Sequence, residues 1–89
     1  MHALLHHTAK KYFDRLNQSD RKRIKEALQD LEKEPPEGDI RPYEGNPGVW
    51  RLKVGGYRVL YKIEDDIILA THIEPRGQAY KKKTKNKRG

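Results

Sequence analysis

Apolar and polar side chains alternate along two runs, Val49-Trp50-Arg51-Leu52-Lys53-Val54 and Tyr57-Arg58-Val59-Leu60-Tyr61-Lys62-Ile63, which are separated by Gly55-Gly56. Alternation of period two on either side of a Gly-Gly pair predicts a β-hairpin, glycine supplying the positive φ of a tight primed turn. In that register Val54 opposes Tyr57, Lys53 opposes Arg58, Leu52 opposes Val59 and Arg51 opposes Leu60. One face then carries Trp50, Leu52, Val54, Tyr57, Val59 and Tyr61 and is expected to be core. The other carries Arg51, Lys53, Arg58, Leu60 and Lys62. Like charges directly opposed weaken a sheet, so this second face is either a splayed, solvated surface or a site that holds a polyanion.

The remaining pattern places the other elements. Ala3, Leu4 and Leu5 predict a short first strand. Thr8 is a candidate N-cap for a helix with apolar positions at Ala9, Tyr12, Phe13 and Leu16, the i, i+3, i+4, i+7 spacing. Ser19 or Asp20 is a candidate cap for a second helix carrying Ile24, Ala27, Leu28 and Leu31, which Glu34-Pro35-Pro36 ends. Residues 35–48, rich in Pro, Gly, Glu and Asp, read as a connecting loop. Glu64-Asp65-Asp66 reads as a polar turn. Ile67 to Ile73 reads as a last strand so apolar that it should lie centrally, covered on both sides, with Glu74 to Tyr80 leaving the sheet. The order β-α-α-β-β-β predicts a small α+β fold: an N-terminal strand, a helical hairpin and a three-stranded antiparallel meander.

Composition narrows the function classes. At 89 residues there is room for one domain and one modest core. With no Cys, disulfides, thiol nucleophiles and Cys-based zinc sites are excluded, which suits a reducing cytoplasm. No run is apolar for long enough to span a membrane and no signal-peptide core is evident, so a soluble cytoplasmic protein is expected. His2, His6 and His7 lack further ligands at regular spacing and are read as surface histidines, and no metal or cofactor is expected. Of the 20 Lys and Arg, six lie in the last nine residues, which hold no acid, so residues 1–80 carry 14 against 13 acids, a net +1. The high overall charge is therefore a property of the tail, and the hairpin face is the more local signal. Residues 1–80 are read as the folded domain and 81–89 as a basic, disordered tail.

Several of these features coincide in one family. The first strand, a helical hairpin ending in L-x-x-x-P, the run W-R-L-K-V-G-G-Y-R-V-L-Y-K-I and the closing P-R-G-Q-A-Y together resemble the RelE/ParE toxin superfamily of type II toxin–antitoxin systems, most closely its RelE branch. The resemblance spans residues 1–80 and is most specific over Arg51 to Tyr61 and Arg76 to Tyr80.

The resemblance implies a ribosome-dependent, metal-independent endoribonuclease that cuts mRNA in the decoding site. The ribose 2′-hydroxyl attacks the adjacent phosphate, leaving a cyclic phosphate and a 5′-hydroxyl. By position, the implied catalytic residues are Arg51, Lys53, Arg58, Arg76 and Tyr80. Arg58 would stabilise the phosphate, Arg76 assist the leaving oxygen and Tyr80 stack on a base or orient the phosphate. Lys53, flanked by two arginines that oppose a third charge, is the expected base. His72 on an apolar strand reads more simply as a hydrogen-bonded structural residue. Lys62 and the tail residues Lys81, Lys82, Lys83, Lys85, Lys87 and Arg88 are expected to contact RNA or the ribosome. A cognate antitoxin is the implied protein partner, an acidic segment settling in the groove between the sheet and the C-terminal stretch. Two alternatives stand beside this reading: a ParE-like toxin that poisons gyrase without cutting RNA, and an inactive module that binds RNA or antitoxin.

Overall fold

A computed structural model describes residues 1–75. Five strands form one sheet, β1 (His2–Leu5), β2 (Asp39–Pro42), β3 (Trp50–Val54), β4 (Tyr57–Glu64) and β5 (Ile67–Pro75), in the order β1-β5-β4-β3-β2. β1 runs parallel to β5, and the remaining pairs are antiparallel. Two helices, α1 (His7–Arg15) and α2 (Gln18–Leu31), cover one face. They contribute Ala9, Ile24, Leu28 and Leu31 to a core closed by Leu52, Val54, Val59, Tyr61, Ile68, Ala70 and Ile73 of the sheet. This is the α+β architecture that the element order predicts. None of the described helices is long and apolar enough to cross a membrane.

The helix starts differ from the sequence expectation. His6, not Thr8, caps α1, its ring accepting from the Thr8 N–H at 3.4 Å. Its own N–H donates to Ala70 O at 2.8 Å, so the chain turns into the helix directly off the strand. Asn17, rather than Ser19 or Asp20, caps α2, with Oδ1 accepting from the Asp20 N–H at 2.8 Å. That geometry satisfies one of the orphan donors of the first turn, so the polar stretch that looks like a break is the cap itself. At the sheet's outer edge, Glu32 Oε2 accepts from the Ala3 N–H at 2.7 Å, removing one free edge donor from β1.

Residues 35–48 are not simply a loop. β2 lies within them and pairs with β3, Asp39 opposite Lys53, Ile40 opposite Leu52, Arg41 opposite Arg51 and Pro42 opposite Trp50. Four residues with one half-buried apolar side chain leave little periodicity to read, and an edge strand tolerates the proline. Gly38 leads into it with φ +142, where a Cβ would meet Leu52 Cδ1 at 2.8 Å.

The β3–β4 register matches the sequence reading at every position. Gly55 takes φ +57, while the following glycine is not in the positive region, which fits a turn needing a positive φ only at its first central residue. Asp65 and Asp66 both have positive φ, 47 and 68, as the mirror-image hairpin turn requires. Trp50, expected in the core, is 37% exposed at the end of β3, whereas Tyr61 opposite it is buried.

β5 is central, as expected, but is not covered equally on both sides. Ile68, Ala70 and Ile73 are buried, Ile67, Leu69 and Thr71 half-buried, and His72 exposed. It also runs on to Pro75, with Glu74 paired to Arg58 and Pro75 to Tyr57 rather than leaving the sheet. The ladder steps once, from Leu60–His72 to Tyr61–Ala70, so Thr71 has no opposite residue. Such a bulge exchanges the faces of the residues beyond it. Arg76, Tyr80 and the tail Lys81 to Gly89 lie outside the described residues.

A tertiary hydrogen bond joins helix to hairpin. Tyr57 Oη donates to Asp20 Oδ2 at 2.7 Å, with the Tyr12 ring edge-on at 6.4 Å. The Tyr57 phenol is pushed from 10.0 to about 12, first by that hydrogen bond and then by burial. Tyr57→Phe is expected to lower stability by about 1–2 kcal/mol at neutral pH, read by urea unfolding. A raised folded-state pKa gives stability that is complete below the unfolded value. The advantage over Tyr57→Phe should therefore hold to about pH 10 and fade as pH rises toward 12.

Candidate functional site

The sheet face turned away from the helices carries two rows of side chains, each running across four strands. The first is Asp39, Lys53, Arg58, Glu74, and the second is Arg41, Arg51, Leu60, His72. The first row has two central cations bracketed by two carboxylates. This resolves the repulsion that the hairpin alone implies: each cation has an anion on its outer side.

The two ends of that row differ. Arg58 Nη2 meets Glu74 Oε1 at 2.8 Å, a charge-assisted hydrogen bond. Asp39 is shared loosely among Arg51 Nη2 at 3.7 Å, Arg41 Nε at 3.8 Å and Lys53 Nζ at 3.9 Å. None of these three is within hydrogen-bond distance, so the cations keep donors to offer a ligand. Arg58 goes further: its Nε is buried and has no hydrogen-bond partner among the described residues. A buried guanidinium donor without an acceptor carries a desolvation cost that an incoming anion would relieve.

Beside these rows lies a groove of about 310 Å³ lined by Arg41, Pro42, Tyr43, Glu44, Arg51 and Arg58. β2 and the turn after it form its wall, held by Tyr43 N–H donating to Val49 O at 2.9 Å. Arg51 and Arg58 are mostly covered, with side chains 20% and 27% exposed, while Arg41 at the rim is 72% exposed. Leu60 faces the same side yet is buried, an apolar floor between Arg51 and His72. The Tyr12 phenol is raised by burial and, second, by the Glu74 carboxylate.

Of the residues predicted from sequence, Arg51, Lys53 and Arg58 come together as expected. Lys62 does not join them: it lies four residues along β4 from Arg58, about 13 Å away, and pairs with Glu64 at 3.4 Å. Sequence reasoning missed Asp39, Arg41, Tyr43 and Glu74. The alternation of Asp39-Ile40-Arg41 was a faint signal for the first two, obscured by the flanking Gly38 and Pro42. Nothing local marks Glu74 as the partner of Arg58.

A family model described as the ParE toxin of the type II toxin–antitoxin system parDE matches residues 3–80. The chain belongs to this family. It is thus a type II toxin of the RelE/ParE superfamily, as the sequence resemblance implies. No curated protein matches it. Among solved structures, it is similar to the archaeal RelE of a RelE–RelB complex from Pyrococcus horikoshii OT3, with 27% identity and a TM-score of 0.71 over 86% of this toxin and 96% of that chain. The RelB–RelE complex from Methanococcus jannaschii gives 23% identity and a TM-score of 0.70, over 89% and 96%. The isolated Escherichia coli RelE toxin gives 20% and 0.69, over 94% and 95%, a likeness of fold alone.

Proposed function

We propose that this toxin is a ribosome-dependent endoribonuclease that cleaves mRNA in the decoding site by attack of a ribose 2′-hydroxyl on the adjacent phosphate. The observation that carries the reading is the Arg58 guanidinium, mostly covered in the lining of a basic groove and holding a buried Nε with no partner among the described residues. Phosphoryl transfer builds charge on non-bridging oxygens, and a preorganised planar donor set answers that charge. Arg58 and Arg51 are assigned to the phosphate. Lys53 joins them on the same row, its Nζ 3.9 Å from Asp39 Oδ2, a carboxylate that offsets the local positive charge. Arg76, at the leaving oxygen, and Tyr80, against a base, are carried on the family resemblance, as are the RNA and ribosome contacts of Lys62 and the tail.

A cognate antitoxin is the proposed regulator, in line with the RelB–RelE complexes among the similar structures. An acidic segment laid in the groove would meet Arg41, Arg51 and Arg58 while covering the apolar floor. The cytoplasm, where translating ribosomes are, is the proposed compartment.

The match to a ParE model favours a second reading, a toxin that acts on gyrase and cuts no RNA. Primer extension on mRNA from cells expressing the chain separates the two. Cleavage at codon boundaries within translated regions is expected, and DNA damage with intact mRNA would install the second reading instead.

A further inference from the structure

His72 reaches the basic face only because of the bulge. With Thr71 in register, His72 would share the side of Ala70 and point at the helices. The unpaired Thr71 reverses that parity and sets His72 opposite Leu60, exposed, in the row of Arg41 and Arg51.

The hydrogen bonds around it fit one tautomer. Thr71 Oγ1 donates to Leu60 O at 3.3 Å and lies 3.2 Å from His72 Nδ1. A hydroxyl has one proton; when it is spent on Leu60 O, which can only accept, the threonine oxygen faces His72 as an acceptor. Nδ1 then carries the proton of the neutral ring, and Nε2 keeps its lone pair. An orienting partner on one ring nitrogen that frees the other is how a histidine base is built.

We propose that His72 is the general base of the reaction, with Thr71 as the positioning residue that fixes its tautomer, an inference that rests on the endoribonuclease reading. Arg58 and His72 are diagonal neighbours on adjacent strands, roughly 7–8 Å apart at the backbone, so a phosphate held by Arg58 brings its ribose within the reach of the ring. Nε2 takes the 2′-hydroxyl proton as the O2′–P bond forms and the P–O5′ bond breaks. The products are the 2′,3′-cyclic phosphate, an imidazolium that returns its proton to solvent, and a 5′-hydroxyl protonated from solvent. By register, the charged side chains near His72 on this face include Arg58 on β4, Arg51 on β3 and Glu74 two residues along its own strand.

The test uses the full chain on programmed ribosomes, with cleavage followed in single turnover. His72→Ala and His72→Gln are expected to lose about 10²- to 10⁴-fold in rate, glutamine failing because it cannot take up a proton. Thr71→Val should fall about tenfold, with Thr71→Ser restoring most of the rate. Independently of cleavage, ¹⁵N NMR of the neutral His72 ring in the wild-type chain should show the proton on Nδ1, with a mixture of tautomers in Thr71→Val. A wild-type ring protonated on Nε2, or His72→Gln cleaving at the wild-type rate, overturns the inference alone. A wild-type chain that cuts nothing on the ribosome overturns it together with the proposed function.

Discussion

Arg58→Ala is expected to abolish codon-boundary cleavage and growth arrest while leaving the toxin folded. The two halves of that expectation come from different physics. On the proposed reading, activity depends on a planar donor set at the groove, and removal of one such donor from a transition state costs on the order of 10²- to 10³-fold. Stability depends on the Arg58–Glu74 pair, whose side chains are 27% and 35% exposed. Part-exposed ion pairs contribute about 0–1 kcal/mol, and the substitution also removes the unpaired buried Nε, which offsets part of that loss. Arg58→Lys keeps the charge but not the fork of donors, so it should recover only a fraction of the rate. Primer extension reports the cleavage and a thermal melt the fold. If Arg58→Ala and Lys53→Ala both cut mRNA normally, the site is elsewhere.

The largest expected loss of stability comes from a residue with no side chain. Gly38→Ala places a methyl group 2.8 Å from Leu52 Cδ1, and Leu52 is among the most fully buried side chains of the protein. Relief by movement of Leu52 would disturb the centre of the core, and relief by movement of the backbone would pull β2 off β3. The φ of +142 adds backbone strain that an L side chain rarely accepts. Together these effects should cost roughly 2–4 kcal/mol, a large share of the 5–15 kcal/mol typical of a domain. A drop in melting temperature of about 10 °C or more is expected. Because β2 carries Asp39 and Arg41, cleavage by any folded fraction should fall as well. A melting temperature unchanged from wild type would mean that β2 does not approach Leu52 as closely as described.

The sequence by itself determined the hairpin. Gly55-Gly56 fixes the turn, alternation fixes the faces, and the two together place Arg51, Lys53 and Arg58 on one side in the observed register. It also determined both helices, through apolar spacings that recur as the buried Ala9, Ile24, Leu28 and Leu31. These are short-range properties: the residues that settle them are within a turn or a hairpin of one another. What the tertiary structure decided is which distant residues complete the rows. Asp39 meets Lys53 only because a four-residue segment without strong strand character is held by the free edge of β3. Glu74 meets Arg58 because β5 lies beside β4, and His72 shares the face of Arg51 and Arg58 because the β4–β5 ladder steps at Thr71. Trp50, at the start of β3, is exposed although Tyr61 opposite it is buried. Each of these outcomes depends on hydrogen bonds and packing between strands rather than on any local pattern, and a single unpaired residue is enough to exchange one face of a strand for the other.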